Sequence, residues 1–341
     1  MSTTRASPTS PARVLVTGGS GFIGSNLVAG LQASGHEVLN LDIVAPRNPA
    51  LASSWQRVDL RDARALHEAI ARFEPSVVHH LGARTDLDGA TVGDYEANTA
   101  GVRNLVASLA DVPSVERVLF ASSRLVCRIG YAPTSDTDYC PTTPYGASKV
   151  EGERIVRAAC ADARYTWAIV RPTSIWGPWF DVPYRIFFDA VARGRYVHPR
   201  GLAVPKSFGF VGNSVHALRT LAQAEPERIA GRMFYLADYP AIEVGEMASC
   251  IAAEAAAAPV RQVPMALLQG LATIGDAAKA LGWREPPLTR FRLANLITPM
   301  LHDLEPLRAV VGDLPYTMPD GVRATVGWMR EHRGLRGGDA G

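Results

Sequence analysis

The chain has 341 residues, 47% of them hydrophobic and 20% charged, and its 35 Lys and Arg offset 33 Asp and Glu to leave a formal charge of +2. This composition has room for one large core or two unequal ones, and it argues against disorder and against a membrane-embedded body. With no long basic block, non-specific nucleic-acid binding has no electrostatic support.

Met1 to Ala12 is rich in Ser, Thr and Pro and lacks the apolar core of a signal peptide, and no later apolar run reaches spanning length. Residues 1–11 are expected to be flexible, the protein to be cytoplasmic, and no membrane partner is expected. Cys127, Cys140, Cys160 and Cys250 form no C-x-x-C pair and have no His at finger spacing. They read as reduced thiols, and no metal site is expected.

Arg13 to Thr17 reads as a short buried strand, Phe22 to Ala33 as a helix and Glu37 to Ile43 as a second strand. Helices follow near Ala63 to Arg72, Tyr95 to Ala110 and Tyr145 to Cys160, interleaved with strands at Ser76 to Leu81, Arg117 to Ser122 and Thr166 to Arg171. Such alternation predicts an α/β fold with a parallel, doubly wound sheet. Beyond Pro172 the pattern turns irregular, with many prolines, Trp176 and Trp179, and short helical stretches such as Val244 to Ala258.

Between the first strand and the first helix stands Thr17-Gly18-Gly19-Ser20-Gly21-Phe22-Ile23-Gly24, a G-x-x-G-x-x-G spacing. Only glycine lets a backbone approach a pyrophosphate closely while the helix N-terminus offers unsatisfied N–H groups and the positive end of its dipole. A tight structural turn is the competing reading, but strand before and helix after is the context a dinucleotide fingerprint requires. Asp42 ends the second strand 18 residues past Gly24. A carboxylate there can accept from the adenine ribose hydroxyls and repel a 2′-phosphate, so NAD is favoured over NADP, with Arg47 as the counterweight. The expected organisation is a Rossmann-type NAD-binding domain over 12–172 and a smaller C-terminal substrate-binding lobe over 173–333, some of whose elements return to the sheet. The Gly-rich tail, 334–341, is expected to fray.

Tyr145-Gly146-Ala147-Ser148-Lys149 places a phenol and an ammonium four apart at a helix start, on one face. An ammonium beside a phenol favours the phenolate and makes Tyr145 a usable general acid/base. Y-x-x-x-K alone is common on exposed helices. Here it follows both the glycine fingerprint and Ser122-Ser123 at the carboxyl end of a strand, where such sheets place ligands.

Taken together these residues resemble the extended short-chain dehydrogenase/reductase family, particularly its nucleotide-sugar epimerase, dehydratase and reductase members, over nearly the whole length. The resemblance rests on T-G-G-x-G-F-I-G, Asp59-Leu60-Arg61-Asp62, His80-Leu81-Gly82-Ala83, Asn98, Ser122-Ser123, Tyr145-x-x-x-Lys149 and Arg171-Pro172-x-x-x-Trp-Gly-Pro178, in the family's order. It implies that Gly18, Gly21, Phe22, Ile23, Gly24, Asp42 and Asn98 belong to the NAD site, that Asp59 and Leu60 hold the adenine, and that Leu81, Gly82 and Ala83 line the phosphate and ribose side. Lys149 would also bond the nicotinamide ribose, the backbone of Pro172, Thr173 and Ser174 would meet the carboxamide, and Ser123 would bind the reacting oxygen. It further implies a homodimer.

The departures narrow the chemistry. Dehydratases of the family need an acid pair directly after the catalytic Ser or Thr, where this chain has Arg124 and Leu125, so a 4,6-dehydratase is not expected. Cys127 replaces the usual Tyr of S-S-x-x-V-Y-G and reads as a small buried filler rather than a base. Ser174 stands where sugar-modifying members often carry Asn, and Gly212-Asn213 where two Asp are usual. Arg124, Ser174 and Lys206 join Ser123 as candidate substrate contacts; Lys206 is where relatives place a cation against a nucleotide diphosphate, and a solvated basic loop is its competing reading. His79 and His80 read as packing residues at a strand end.

The expected activity is transient oxidation of a sugar carbon, C4 favoured, by an NAD-dependent nucleotide-sugar epimerase, in which Tyr145 takes the hydroxyl proton and Ser123 stabilises the oxygen. An NAD(P)-dependent dehydrogenase or ketoreductase is the alternative. A non-catalytic NAD-sensing protein ranks third, because sensing needs no acid/base.

Overall fold

The computed structural model describes residues 11–181, 184–283 and 288–335; the ends expected to be flexible lie outside these apart from residues 11 and 334–335. Elements follow one another as β1 (Arg13–Thr17), α1 (Phe22–Ala33), β2 (Glu37–Asp42), β3 (Trp55–Arg57), α2 (Ala63–Phe73), β4 (Val77–His80), α3 (Glu96–Ala110), β5 (Arg117–Ala121), α4 (Pro144–Ala159) and β6 (Thr166–Pro172). Then come β7 (Ser174–Trp176), α5 (Tyr184–Ala192), β8 (Val197–Pro199), β9 (Pro205–Lys206), β10 (Phe208–Phe210), α6 (Val211–Gln223), α7 (Pro226–Ile229) and β11 (Met233–Leu236). The chain continues through β12 (Ile242–Glu243), α8 (Val244–Glu254), β13 (Arg261–Val263), α9 (Met265–Ala280), α10 (Arg290–Ile297), α11 (Glu305–Val311) and α12 (Met318–Arg333).

Seven strands form one sheet in the order β11-β6-β5-β4-β1-β2-β3. β1 is a continuous apolar run, buried at Val14, Leu15 and Val16, as a strand covered on both faces must be. It pairs in parallel with β2 on one side and β4 on the other, and the parallel ladder runs on through β3 and through β5 and β6. The order therefore reverses at β1 and β4, and in such sheets ligands bind outside the carboxyl ends of the strands at that switch point. This is the doubly wound, Rossmann-type α/β fold expected. The short, largely polar β3 is given no range by periodicity and lies just before Asp59, where the resemblance implies a third strand, while β11 is an element that returns to the sheet from the irregular half.

The chain divides into two compact units. One comprises the described residues up to Ser122 with Ala147–Val170 and Leu221–Met233. Its core gathers Leu15, Leu41, Val78, Val118 and Ile169 from the strands and Leu66, Ile70, Leu105 and Val156 from the helices. Helix ends there are set locally: the Asp62 side chain accepts from Ala65 N to start α2, and Glu74 in the left-handed region ends it. The other comprises Ser123–Gly146, Arg171–Thr220 and the residues from Phe234 on. Trp176 is buried there against Phe188 and Phe210, with ring centroids 5.5 and 5.2 Å away, and α12 begins with a Thr317–Asp320 capping box.

Two glycines fix the turn from β1 into α1. Gly18 has φ +71, and a Cβ on it would lie 2.6 Å from the backbone of Gly82; a Cβ on Gly24 would lie 2.1 Å from the carbonyl oxygen of Gly18. Gly24→Ala is therefore expected to destabilise the protein by about 1–3 kcal/mol, whereas Gly270→Ala, in the interior of α9 with open space around it, should stabilise by about 1 kcal/mol. Thermal melts of both variants check this, and a Gly24→Ala protein as stable as the wild type would contradict it.

Candidate active site

At the switch point the backbone of the glycine loop is left bare. α1 follows Gly21 with no side-chain cap, and an N-terminus of this kind suits an anion. Gly82 N donates to Thr17 Oγ1 at 3.2 Å and Leu81 N to Thr17 O at 3.0 Å, which sets the β4 end directly against the loop. A Cβ on Gly82 would collide with Leu60 Cδ1 at 2.7 Å. Gly18, Leu60 and Gly82 are thus brought together, and a side chain at either glycine would force apart the loop and the β4 end that form the cradle a dinucleotide needs. The residues present fit NAD.

Asp42 lies beside this cradle. Its carboxylate accepts from Ser20 N at 3.1 Å and Val44 N at 3.2 Å, and burial pushes its pKa up, partly opposed by those bonds. Asp59, in contrast, is tied to Arg61 by a bridge of 2.7 Å that holds its carboxyl below the usual range. Asn98 is buried, with both amide hydrogens used, one on Arg84 O at 3.0 Å and one on Ser148 Oγ at 2.9 Å. In this structure it braces the segment after β4 against α4.

That brace positions Lys149. The side chain is buried, donates from Nζ to Ala121 O at 3.0 Å at the carboxyl end of β5, and lines a small cavity with His80, Ser122 and Glu153. Burial lowers its pKa from 10.5 to about 8, with Glu153 pulling the other way. His80 bonds Thr17 Oγ1 at 2.7 Å and is held neutral, its pKa pushed down to about 3 by burial and by Lys149; His79 is likewise buried. Both are packing residues, as expected.

Tyr145 stands one turn before Lys149 on α4 and is itself buried. The glycine after it lets the helix start close on the turn that follows β5, since a Cβ on Gly146 would lie 2.3 Å from Leu125 O. Ser123 caps that turn, accepting at Oγ from Leu125 N at 3.1 Å, which leaves its hydroxyl hydrogen to donate elsewhere. Cys127 lies just beyond, buried, its thiol donating to Asp138 O and its pKa raised by burial. A thiol held protonated is a filler and not a base.

Downstream of β6, Thr173 is fastened to β11 through N and Oγ1, both donating to Leu236 O. Ser174 is buried and accepts from the Tyr184 hydroxyl at 2.7 Å. Lys206 is no solvated loop cation: it is 8% exposed, donates to Asn295 O, and its pKa falls to about 8 through burial and then the charge of Arg124. His302 stacks on Tyr235 at 4.2 Å, with its pKa lowered to about 4 by burial, Arg124 and Arg171. The His302 Nε2 atom is buried with no hydrogen-bond partner among the described residues. The charge of Arg124 thus reaches both Lys206 and His302, within the unit that also holds Ser123. Nothing in the local sequence signals His302, whose backbone N donates to Ser207 Oγ across the chain.

The comparisons agree with this geometry. Residues 14–228 match the model of the NAD dependent epimerase/dehydratase family. The chain belongs to that family. It is an enzyme family whose cofactor is NAD, the nucleotide the glycine cradle fits. Among relatives, the chain is 29% identical to a 2-alkyl-3-oxoalkanoate reductase of Stenotrophomonas maltophilia, over 91% of this chain and 97% of that one. It is 31% identical to a UDP-glucose 4-epimerase of Mycolicibacterium smegmatis, over 54% of this chain and 64% of that one. A solved structure of a putative epimerase from Burkholderia cenocepacia superposes with a TM-score of 0.73 at 25% identity, covering 95% of this chain and 100% of that one.

Lys149 makes stability depend on pH in a stated direction. Its pKa in the folded chain, about 8, lies below the ordinary 10.5, so the unfolded chain holds this proton more readily and the penalty is full below pH 8 and fades as pH rises. Relative to Lys149→Met, the nucleotide-free wild type should gain stability between about pH 7 and about pH 10. Melting temperatures at both pH values check this; a difference that does not change with pH would contradict the buried ammonium.

Proposed function

We propose that the protein is a nucleotide-sugar epimerase that inverts one sugar carbon, C4 favoured, by transient oxidation. The observation that carries this reading is a pair of cations, Arg124 directly after Ser123 and the buried Lys206 that feels its charge, with a neutral His302 under the same influence: cations in a partly buried setting favour an anionic substrate, and a nucleotide diphosphate supplies two charged phosphates. Tyr145 takes the proton of the reacting hydroxyl, Lys149 favours the phenolate that does so and holds the ribose, and Ser123 donates to the developing carbonyl oxygen. NAD held at the glycine cradle would supply the hydride acceptor and donor. Arg124, where a dehydratase needs an acid, leaves no group to expel water.

The same site supports a second reading, reduction of a keto group in a substrate carrying a carboxylate. A relative that matches nearly the full length is a reductase of an oxoalkanoate, and a carboxylate would satisfy the same cations. The resemblance to the extended short-chain family supports the rest of the proposal: an NAD-binding domain over 12–172, a substrate lobe over 173–333, NAD contacts at Asp42, Asp59 and Pro172 to Ser174, a homodimer, and a cytoplasmic setting. No helix among the described residues is long and apolar enough to cross a membrane.

Tyr145→Phe should lower turnover by about 100-fold or more while leaving NAD affinity nearly intact, and Lys149→Ala should harm both. Steady-state rates together with calorimetric NAD titration check this; full activity in Tyr145→Phe would remove Tyr145 from the mechanism. Incubating UDP-, GDP-, dTDP- and CDP-sugars in excess over enzyme, with chromatography for the sugar and absorbance for NADH, separates the two readings. An epimer without stoichiometric NADH supports the first. NADH matching a keto product, or NADH-dependent reduction of a keto acid, replaces it with the second.

A further inference from the structure

α9 carries two apolar faces. One is buried: Leu268 and Ala272 pack with Leu293 of α10, against Val197 of β8, Val263 of β13 and Ile297. The other faces solvent. Leu267, Leu271 and Ile274 recur at i, i+4 and i+7, and the stripe continues past the helix end through Leu281 and Trp283, which are 89% and 57% exposed. Five of the twelve large hydrophobics exposed among the described residues thus fall within 17 positions. Single exposed apolar residues are ordinary, but a contiguous stripe marks a surface that meets something.

The surroundings of the stripe say what that is. Residues 190–204, 255–283 and 288–300, which build β8, β13, α9, α10 and their flanks, hold seven Lys and Arg and one acid, Asp276. All seven cations are exposed, and Asp276 is engaged by Arg290 at 3.8 Å. Arg261 sits on β13 beside β8, Arg200 is held next to Val263 by a backbone bond of 2.8 Å, Lys279 lies in the last turn of α9, and Arg290 and Arg292 lie on α10 alongside it. A second copy applied through this face would set like charges against each other. Apolar side chains on one face of a helix, a terminal Trp, and exposed cations on the elements packed against its other faces match a surface that is hydrocarbon beneath and anionic on top.

We propose that α9 and its cationic surround dock on the surface of an anionic phospholipid bilayer, with the helix lying in the interface plane. This is peripheral docking and not a span, and it departs from the sequence expectation of no membrane partner. It is independent of the reaction the enzyme performs.

Co-sedimentation of the full-length protein with vesicles of phosphatidylcholine alone, and of equal parts phosphatidylcholine and phosphatidylglycerol, tests it. Binding should be confined to the mixed vesicles and should weaken as salt is added. Arg200→Ser and Arg261→Ser should each weaken it by about fivefold, and Leu271→Ser with Ile274→Ser by about tenfold or more, with NAD titration showing that the variants remain folded. In the wild type, mixed vesicles should shift tryptophan emission to the blue, and Trp283→Phe should remove the shift; this readout decides the question even where the double variant does not fold. Absence of binding to mixed vesicles, or binding without the emission shift, overturns the proposal. So does self-association in sedimentation equilibrium that Leu271→Glu abolishes, which would assign the stripe to a second copy.

Discussion

Everything proposed for the site depends on how closely three backbone segments approach at the carboxyl ends of β1 and β4. Gly18, Gly24 and Gly82 leave no room for a Cβ, so the loop, the helix start and the β4 end meet backbone to backbone. A side chain at any of the three positions would force these segments apart and displace the cradle a dinucleotide phosphate needs. The sheet order makes the same demand at larger scale, because the reversal at β1 and β4 opens the crevice where the loop sits.

Onto this geometry the chain adds buried positive charge that costs stability. Lys149 and Lys206 are both desolvated, with pKa values brought down to about 8, and each is held by a single backbone carbonyl, Ala121 O and Asn295 O. A neutral side chain would pack at either place without that penalty. Retaining ammonium groups there makes sense if each has an oxygen to meet, the phenol and ribose for Lys149 and an anionic substrate for Lys206. His302 is held neutral by burial, and its Nε2 lacks a hydrogen-bond partner among the described residues.

Those parts of the molecule that were legible in sequence are the ones written in local code. The glycine spacing, the alternation of apolar runs and Tyr145-x-x-x-Lys149 each lie within one turn or one strand–helix unit, and the structure forms the elements where the pattern put them. Asp42 was legible because it ends a strand. What was not legible arises from long-range pairing. β3 is three residues of edge strand, recognisable only once β2 is in place. Lys206 was singled out by resemblance, with a solvated basic loop as its competing reading; its burial is what the sequence could not show, since that depends on the pairing of β9 with β12 and on the bond to Asn295, 89 positions away. Asn98 was placed in the NAD site by resemblance; that its amide also spans Arg84 and Ser148 was not legible. α9 shows the converse problem: its apolar periodicity is visible in the sequence, but which of its two faces the fold covers is not.

The central claim is that hydride leaves and returns to one sugar carbon within a single site. It is tested most directly with a nucleotide sugar that the protein turns over, deuterated at C4, with the position of the label followed by mass spectrometry and NMR. The account predicts that the C4 epimer keeps its deuterium at C4, because the hydride never leaves the enzyme. Deuterium found in free NADH beside a keto sugar, or lost to solvent water, would contradict it.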